Sequence, residues 1–173
     1  MQEFKLEIIK FESITHGQLG YQQVLKEIKK FLEEKPNAEY SLVIGTDSHE
    51  VNGSSLKNRK INLVTAILVH RRGFGGKYFW TRKNVGNIHS LREKIYAETL
   101  LSLDFAREFV PILKATLNGD FPNYKLEIHI DVGEHGDTRE MIKEVVGMVT
   151  GNGFVAKTKP EAYGASYVAD KYT

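Results

Sequence analysis

Two aspartates stand at positions where an α/β protein would hold a ligand. Asp47 ends the apolar segment 42–47 (LVIGTD), and Asp131 ends the apolar segment 126–131 (LEIHID). Carboxylates are uncommon in strands, and the carboxyl ends of strands in an open α/β sheet border its ligand crevice. A single aspartate there is typical of a turn or a cap, but two at equivalent strand ends favour a shared site.

Two further acids lie on predicted helices. Helical spacing places Glu98 on the same face as Ile95 and Phe105, which should pack on the sheet. A carboxylate on an apolar face must be paired, protonated or bound to a metal. Asp170 lies beside the alanine-bearing side of a terminal helix; taken alone, it would be an ordinary acid at a frayed end.

Four acids from two strands and two helices predict a divalent-metal site. Isolated carboxylates would repel one another, whereas Mg²⁺ or Mn²⁺ takes hard oxygen ligands of this kind. Two such ions roughly 4 Å apart can position a water and stabilise the leaving oxygen of a phosphodiester. Asp47, Glu98, Asp131 and Asp170 are therefore predicted as metal ligands and catalytic residues of a two-metal nuclease.

The charge of the chain is unevenly distributed. The net charge of +2 conceals a segment, 55–94, with ten basic residues and one acid. That segment has a net charge of +9, and the rest of the chain has −7. A basic block in an acidic chain indicates a polyanionic partner, although many basic segments are only solvated surfaces.

The basic block contains a predicted hairpin in which cations alternate with aromatic rings. Cations can neutralise phosphates while aromatic rings stack on bases. The alternation of side chains along a strand directs at least one ring into the core, so only part of the set could bind. The predicted nucleic-acid contacts are Arg71, Arg72, Lys77, Arg82 and Lys83.

The apolar pattern predicts an α/β protein with a mixed sheet flanked by helices. Three strands form an antiparallel meander, and two helix–strand units with right-handed crossovers follow. Pro111 should kink or interrupt the long helix, and residues 137–140 (DTRE) have the form of a capping box. We expect strands at 40–46, 61–70, 77–82, 124–132 and 154–157, and helices at 91–110, at 137–149 and from Pro160 to the end.

The 173 residues suit one compact domain with an attachment. Residues 1–38 are predicted to be an N-terminal extension with a strand at 4–11 and a helix at 21–34, and residues 39–173 the domain proper. The absence of cysteine excludes disulfides, thiolate nucleophiles and zinc sites with sulfur ligands. With no secretory signal and no apolar span, we expect a cytoplasmic protein without membrane contact.

Five segments resemble the YkuK family, an uncharacterised bacterial family of the ribonuclease-H-like superfamily. They are 43–49 (VIGTDSH), 64–80 (VTAILVHRRGFGGKYFW), 90–99 (SLREKIYAET), 127–154 and 159–173. The resemblance implies a ribonuclease-H-like mixed sheet, in agreement with the predicted order of elements. It also implies a two-metal site, because superfamily members carry acids at the places of Asp47, Glu98, Asp131 and Asp170. It does not imply specificity for RNA–DNA hybrids.

Other interpretations of the same residues remain open. His49 and His135 follow candidate metal ligands by one loop and could transfer protons or release product, or be surface residues. The domain could bind nucleic acid without cleaving it. The sequence Asp131-Val-Gly133 is similar to a phosphate loop of actin-like ATPases, but those proteins enclose the nucleotide between two such domains.

Overall fold

The computed structural model describes residues 4–51, 60–118, 124–163, 167–168 and 171–172. Within these ranges the chain forms seven strands, three α-helices and two 3₁₀ turns, at Leu6–Ile8 and Arg139–Met141, and residues 167–168 and 171–172 are helical as well. The helices are α1 (Tyr21–Glu33), α2 (Leu91–Leu117) and α3 (Ile142–Gly151), and the strands are β1 (Lys10–Ser13), β2 (Gly17–Gly20), β3 (Tyr40–Glu50), β4 (Lys60–Arg71), β5 (Gly76–Gly86), β6 (Tyr124–His129) and β7 (Val155–Lys157).

The seven strands form one mixed sheet in the order β2-β1-β5-β4-β3-β6-β7. Strands β3, β4 and β5 pair antiparallel, whereas β6 lies parallel to β3 and β7 parallel to β6. The predicted α/β class with a mixed sheet is confirmed, as is the hairpin of the second and third predicted strands. No helix in the described ranges is long and apolar enough to cross a membrane.

The N-terminal segment differs from the predicted strand at 4–11. It forms a 3₁₀ turn and then the β1–β2 hairpin, whose turn uses Gly17 with a φ of 67°. Glu108 of α2 accepts a hydrogen bond from the backbone N–H of Leu6, which favours a turn there over a strand. Strand β1 also pairs with β5 at Glu12 and Trp80, so the segment extends the central sheet. The domain boundary at residue 38 stays a prediction.

Helix α2 passes through Pro111, so of the two predicted effects the interruption is wrong, and the kink stays a prediction. Proline removes one helical hydrogen bond and leaves the carbonyl of Arg107 without its usual partner. Both Pro111 and Arg107 lie on the exposed face of the helix, where water can satisfy that carbonyl. The predicted cap at the other end is confirmed, because Ser90 Oγ accepts from the Glu93 N–H at 3.1 Å.

The predicted capping box at 137–140 is also wrong. Helix α3 begins at Ile142, and Thr138 makes no capping hydrogen bond. The hydroxyl of Thr138 accepts instead from the backbone N–H of Gly133, which braces the loop after Asp131. At the C-terminal end, Pro160 lies in a turn at residues 159–161 rather than in the first turn of a helix, and the described helical residues, 167–168 and 171–172, follow later in the chain.

The two faces of the sheet pack against different parts of the chain. On one face, β-strand residues such as Leu42, Ile44 and Ile128 pack with the three helices in the larger core. On the other, Val64, Ala66 and Trp80 pack with two residues near the C-terminus, Val168 and Tyr172. Because both faces of β3 and β4 are covered, these strands are apolar on both sides and bury the polar residues they carry.

Candidate metal and catalytic site

Asp47 lies inside β3 rather than at its end. The strand continues to Glu50, and Asp47 pairs with Val64 in β4. The ladder between these strands overrides the low strand propensity of the carboxylate, which explains the longer strand. Asp47 is 5% exposed, and its Oδ1 accepts from the backbone N–H of Ser48 at 2.8 Å. Since paired residues share a face, Asp47 lies on the Val64 side of the sheet.

Glu98 is buried on the apolar face of α2, where the helical spacing predicted it. It is 4% exposed, and Ser48 Oγ donates to its Oε1 at 2.5 Å. Burial raises the pKa of Glu98 to about 8, and the negative charges of Asp47 and Asp131 raise it further, whereas the Ser48 hydrogen bond and Lys94 oppose the shift. Lys94 Nζ lies 3.9 Å from Glu98 Oε1. The carboxyl is therefore protonated at neutral pH in the metal-free protein.

Asp131 lies two residues beyond the end of β6. Its side chain is 24% exposed, and Lys159 Nζ lies 2.7 Å from its Oδ1. The turn that carries Lys159 is tied to the same loop, because the Lys159 N–H donates to the Val132 carbonyl at 2.8 Å. Gly133 makes room for this lysine, since a Cβ there would meet Lys159 Cβ at 3.3 Å. Asp131 thus shares a charge-assisted contact with a residue distant in sequence.

The three described acids come from β3, α2 and the segment after β6, and two of them act electrostatically on the third. Both Asp47 and Asp131 raise the pKa of Glu98. Within the described ranges, no three His, Asp or Glu side chains converge closely enough to hold a metal ion as they stand. Asp170, the fourth predicted ligand, lies outside the described residues. The donor set consists of three carboxyl groups, and carboxylate oxygens are ligands that suit a hard divalent cation.

The sequence interpretation did not assign Ser48, Lys94 or Lys159 to the site. Lys94 precedes Glu98 by four residues on one helix, and this spacing could have indicated the pair. Ser48 could have been found once β3 was extended, because alternation turns it towards α2 when Asp47 points to the other face. Nothing in the local sequence indicates that Lys159 meets Asp131.

The histidines have different surroundings. His49 lies within β3, not in a loop as predicted, and its Nδ1 is 2.9 Å from the Ser48 carbonyl oxygen. Since a carbonyl only accepts, Nδ1 carries the ring proton. His135 is exposed in the loop after Asp131 and lines a cavity of about 560 Å³ beside Lys159.

A buried histidine near the site was missed. His129 is the last residue of β6, and its Nε2 lies 3.0 Å from Glu127 Oε2. Its ring makes an edge contact with Tyr163, with centroids 5.4 Å apart. Burial lowers the pKa of His129, although Glu127 opposes this. A signal existed, because His129 precedes Asp131 by only two residues in the sequence.

Arg71 is not presented to a nucleic acid, which corrects one predicted contact. It is 7% exposed, and its guanidinium donates to the Phe31 carbonyl, the Tyr40 hydroxyl and Glu34, at 2.7, 3.0 and 3.0 Å respectively. The guanidinium carbon also lies 4.1 Å from the centre of the Phe31 ring. Arg71 therefore joins α1 to the sheet.

The other predicted contacts lie closer to the surface. Arg72 is exposed and pairs with Glu39 at 2.7 Å, and the half-buried Lys77 pairs with Glu27 at 3.1 Å. Arg82 donates to the Tyr172 carbonyl and pairs with Glu12 at 3.4 Å. Lys83 is exposed. These four cations remain predicted contacts for a polyanion.

Residues 23–173 match the protein family described as Ribonuclease H-like. The chain belongs to the ribonuclease H-like family. It is also 32% identical to the "Uncharacterized protein YkuK" of Bacillus subtilis (strain 168), over 94% of this chain and 96% of that protein. No solved structure matches the chain significantly. The resemblance inferred from the sequence motifs is confirmed, and the mixed seven-stranded sheet is consistent with a ribonuclease-H-like fold.

Proposed function

We propose that this protein hydrolyses phosphodiester bonds of DNA or RNA with the help of Mg²⁺ or Mn²⁺. The observation that supports this most is the environment of Glu98, a buried carboxyl within electrostatic reach of Asp47 and Asp131. The charges of Asp47 and Asp131 oppose ionisation of Glu98, and a bound divalent cation would offset that opposition. The ribonuclease H-like family includes nucleases, which supports the same reaction class.

In this proposal Asp47, Glu98 and Asp131 hold the cations, and Asp170 is a fourth ligand. When bound, two such ions supply an activated water and stabilise the leaving oxygen. Before they bind, Lys159 neutralises part of the charge of Asp131, and the Glu98 carboxyl is kept neutral by its proton. Because Glu98 keeps its proton at neutral pH, cation binding must release that proton, so metal affinity should rise with pH.

The two predicted histidines receive roles that follow from their surroundings. The Nδ1 proton of His49 is directed to the Ser48 carbonyl, so Nε2 is the basic nitrogen of the neutral ring. We assign it proton transfer at the site. His135 lies beside Lys159 in the 560 Å³ cavity, where the two side chains would bind the new terminal phosphate of the cleaved strand.

Cleavage assays with and without divalent cations test the proposal. Labelled single-stranded, duplex, hybrid and branched substrates are incubated with the wild-type protein in Mg²⁺, in Mn²⁺ or in EDTA. We expect cation-dependent cleavage of at least one substrate, and we expect Asp47→Asn to abolish it, because an amide cannot supply the negative charge that binds the cation.

Glu50→Gln is the matched control, since Glu50 lies in the same strand but is exposed. It should cleave at the wild-type rate. A wild-type protein that cleaves none of the four substrates, or an Asp47→Asn variant that cleaves as well as wild type, would refute the proposal. Salt-dependent binding with no cleavage would favour the second candidate, a non-catalytic nucleic-acid-binding domain in which Lys94 and Lys159 permanently balance the acids.

A further inference from the structure

A groove of about 580 Å³ lies between the N-terminal segment, strands β4 and β5, and helix α2. Its volume falls within the range of small-molecule pockets, about 300–1,000 Å³. Apolar side chains from the N-terminal segment and from α2 form the floor, and two threonines of the sheet lie beneath them. The floor and sheet residues are Phe4, Ile8, Ile9, Leu101, Phe105, Thr65 and Thr81.

Contacts with α2 hold the N-terminal wall of this groove in place. The backbone N–H of Leu6 donates to Glu108 Oε2 at 2.9 Å. The ring of Phe105 meets the rings of Phe4 and Phe11 edge-on, with centroids 6.1 and 5.8 Å apart. Because these contacts join residues of the chain itself, they fix the position of this wall independently of any ligand.

The groove is lined by cations. Lys5, Lys10, Arg82 and Lys83 border it, and the described lining residues include no acid. The guanidinium of Arg82 is engaged by the Tyr172 carbonyl and Glu12. Lys10 and Lys83 are exposed and extend from different strands. An apolar floor with a cationic border suits a ligand that combines a flat apolar surface with negative charge.

The strand register brings this groove next to the carboxylates. Ser48 pairs with Leu63, and Leu63 pairs with Lys83, so the three residues form one row across the sheet. Neighbouring strands lie about 4.8 Å apart, which puts the backbone of Lys83 roughly 10 Å from that of Ser48. Ser48 is the residue that binds Glu98. On α2, Leu101 follows Glu98 by three residues, about 4.5 Å along the axis.

We propose that this groove binds one strand of the nucleic-acid substrate, next to the bond that is cleaved. The apolar floor contacts the face of a base, and Lys10 and Lys83 contact the phosphates. A single strand fits where a duplex does not, because the bases of a duplex are stacked and paired and cannot offer a face to the floor. The choice of nucleic acid as the ligand rests on the proposed function.

Binding without cleavage tests this site. Fluorescence anisotropy in EDTA measures the affinity of labelled oligonucleotides of about 12 nucleotides, single-stranded and duplex. We expect wild type to prefer the single strand. Lys10→Glu/Lys83→Glu should weaken single-strand binding at least tenfold at about 50 mM salt. It should also flatten the plot of log K against log salt by about 1.4, which corresponds to two phosphate contacts.

Lys26→Glu/Lys143→Glu is the matched control, because both lysines are exposed on helices away from the groove and the change in charge is the same. It should bind within threefold of wild type. The proposal is overturned if the groove variant binds like wild type, if the control is weakened equally, or if the duplex is preferred. A long-chain fatty acid is the other amphipathic anion of suitable shape. The proposal is also overturned if the groove binds this fatty acid and the protein binds no oligonucleotide.

The outcomes separate this inference from the proposed function. If the wild-type protein binds single strands through Lys10 and Lys83 but cleaves nothing in Mg²⁺ or Mn²⁺, the proposed nuclease activity is refuted and the proposed binding groove is retained. If the protein cleaves a substrate, and the groove variant has unchanged affinity and rate, the binding groove is refuted and the nuclease activity is retained. Thermal denaturation of each variant confirms that it is folded.

Discussion

Glu98→Gln is expected to stabilise the metal-free protein at pH 7, by on the order of 3 kcal/mol in the free energy of unfolding. The wild-type carboxyl is buried, and burial together with the charges of Asp47 and Asp131 raises its pKa from an ordinary value of 4.5 to about 8. In the unfolded chain the same group ionises freely in water. A glutamine has nearly the same shape and carries no charge, so it avoids the cost of keeping this site protonated.

The direction of the pH dependence follows from proton uptake. Between pH 4.5 and 8 the folded protein holds the Glu98 proton and the unfolded chain has released it, so the stability of wild type falls as the pH rises across this interval. Below pH 4.5 both states are protonated, and wild type and variant should have similar stability. Above pH 8 the difference reaches its maximum, because both wild-type states are then ionised.

Urea denaturation at pH 4.5, 7 and 9 in the absence of divalent cations measures this effect. Asp104→Asn is the control, because Asp104 lies on the same helix with half of its side chain exposed. We expect the gap between wild type and Glu98→Gln to widen with pH, and the gap for Asp104→Asn to stay within about 0.5 kcal/mol. Parallel stability curves for wild type and Glu98→Gln would contradict the buried, protonated state of this carboxyl.

The same substitution should lower cation-dependent cleavage on the order of a thousandfold or more. The neutral amide is a poorer ligand for Mg²⁺ or Mn²⁺ than the ionised carboxylate. The two effects therefore have opposite signs, with stability gained and activity lost. That pattern is typical of a residue kept for function at a cost in stability, and it distinguishes a site residue from a merely structural one.

Arg71→Met is expected to destabilise the protein by about 3 kcal/mol. The substitution removes the donors to the Phe31 carbonyl and the Tyr40 hydroxyl, and the ion pair with Glu34. It also removes the charge that packs over the Phe31 ring. Because the Glu34 side chain is 48% exposed, water can solvate it once the arginine is gone. The expected loss of stability is therefore at the lower end of the range for breaking buried ion pairs.

The adjacent residue supplies the control for this prediction. Arg72 also pairs with a glutamate, but both side chains are exposed, so Arg72→Met should change the free energy of unfolding by less than about 1 kcal/mol. Thermal or urea denaturation measures both variants. Equal losses for the two arginines would show that the contacts between Arg71 and α1 contribute little to stability.

Much of the site could be predicted because its residues conflict with their local sequence. Asp47 and Asp131 interrupt apolar segments, and Glu98 lies on an apolar helix face, so each departs from the pattern that burial demands. Helical spacing alone placed Glu98 correctly, since the side chains of a helix are arranged by a period that the sequence displays. The sequence motifs also indicated the family that the comparison with known proteins confirms.

Other features depend on contacts between distant parts of the chain. Arg71 and Arg72 are neighbours in a basic, glycine-containing segment, yet only Arg71 is buried, because strand alternation turns it towards α1. The length of β3 is likewise decided by its partner, since pairing with β4 carries it past Asp47 to Glu50. Local propensity cannot indicate such outcomes when the ladder and the packing outweigh it.

The sequence by itself determined the α/β class, the family and the acids that define the candidate site, because apolar periodicity and the placement of charge within it are local properties of the chain. The tertiary structure alone decided which distant cation meets Asp131 and which cations border the groove. Lys159 reaches Asp131, and Lys83 borders the groove, only after the strands have paired. These contacts depend on register and on the packing of α2, and a long-range contact leaves no periodic signal in the sequence.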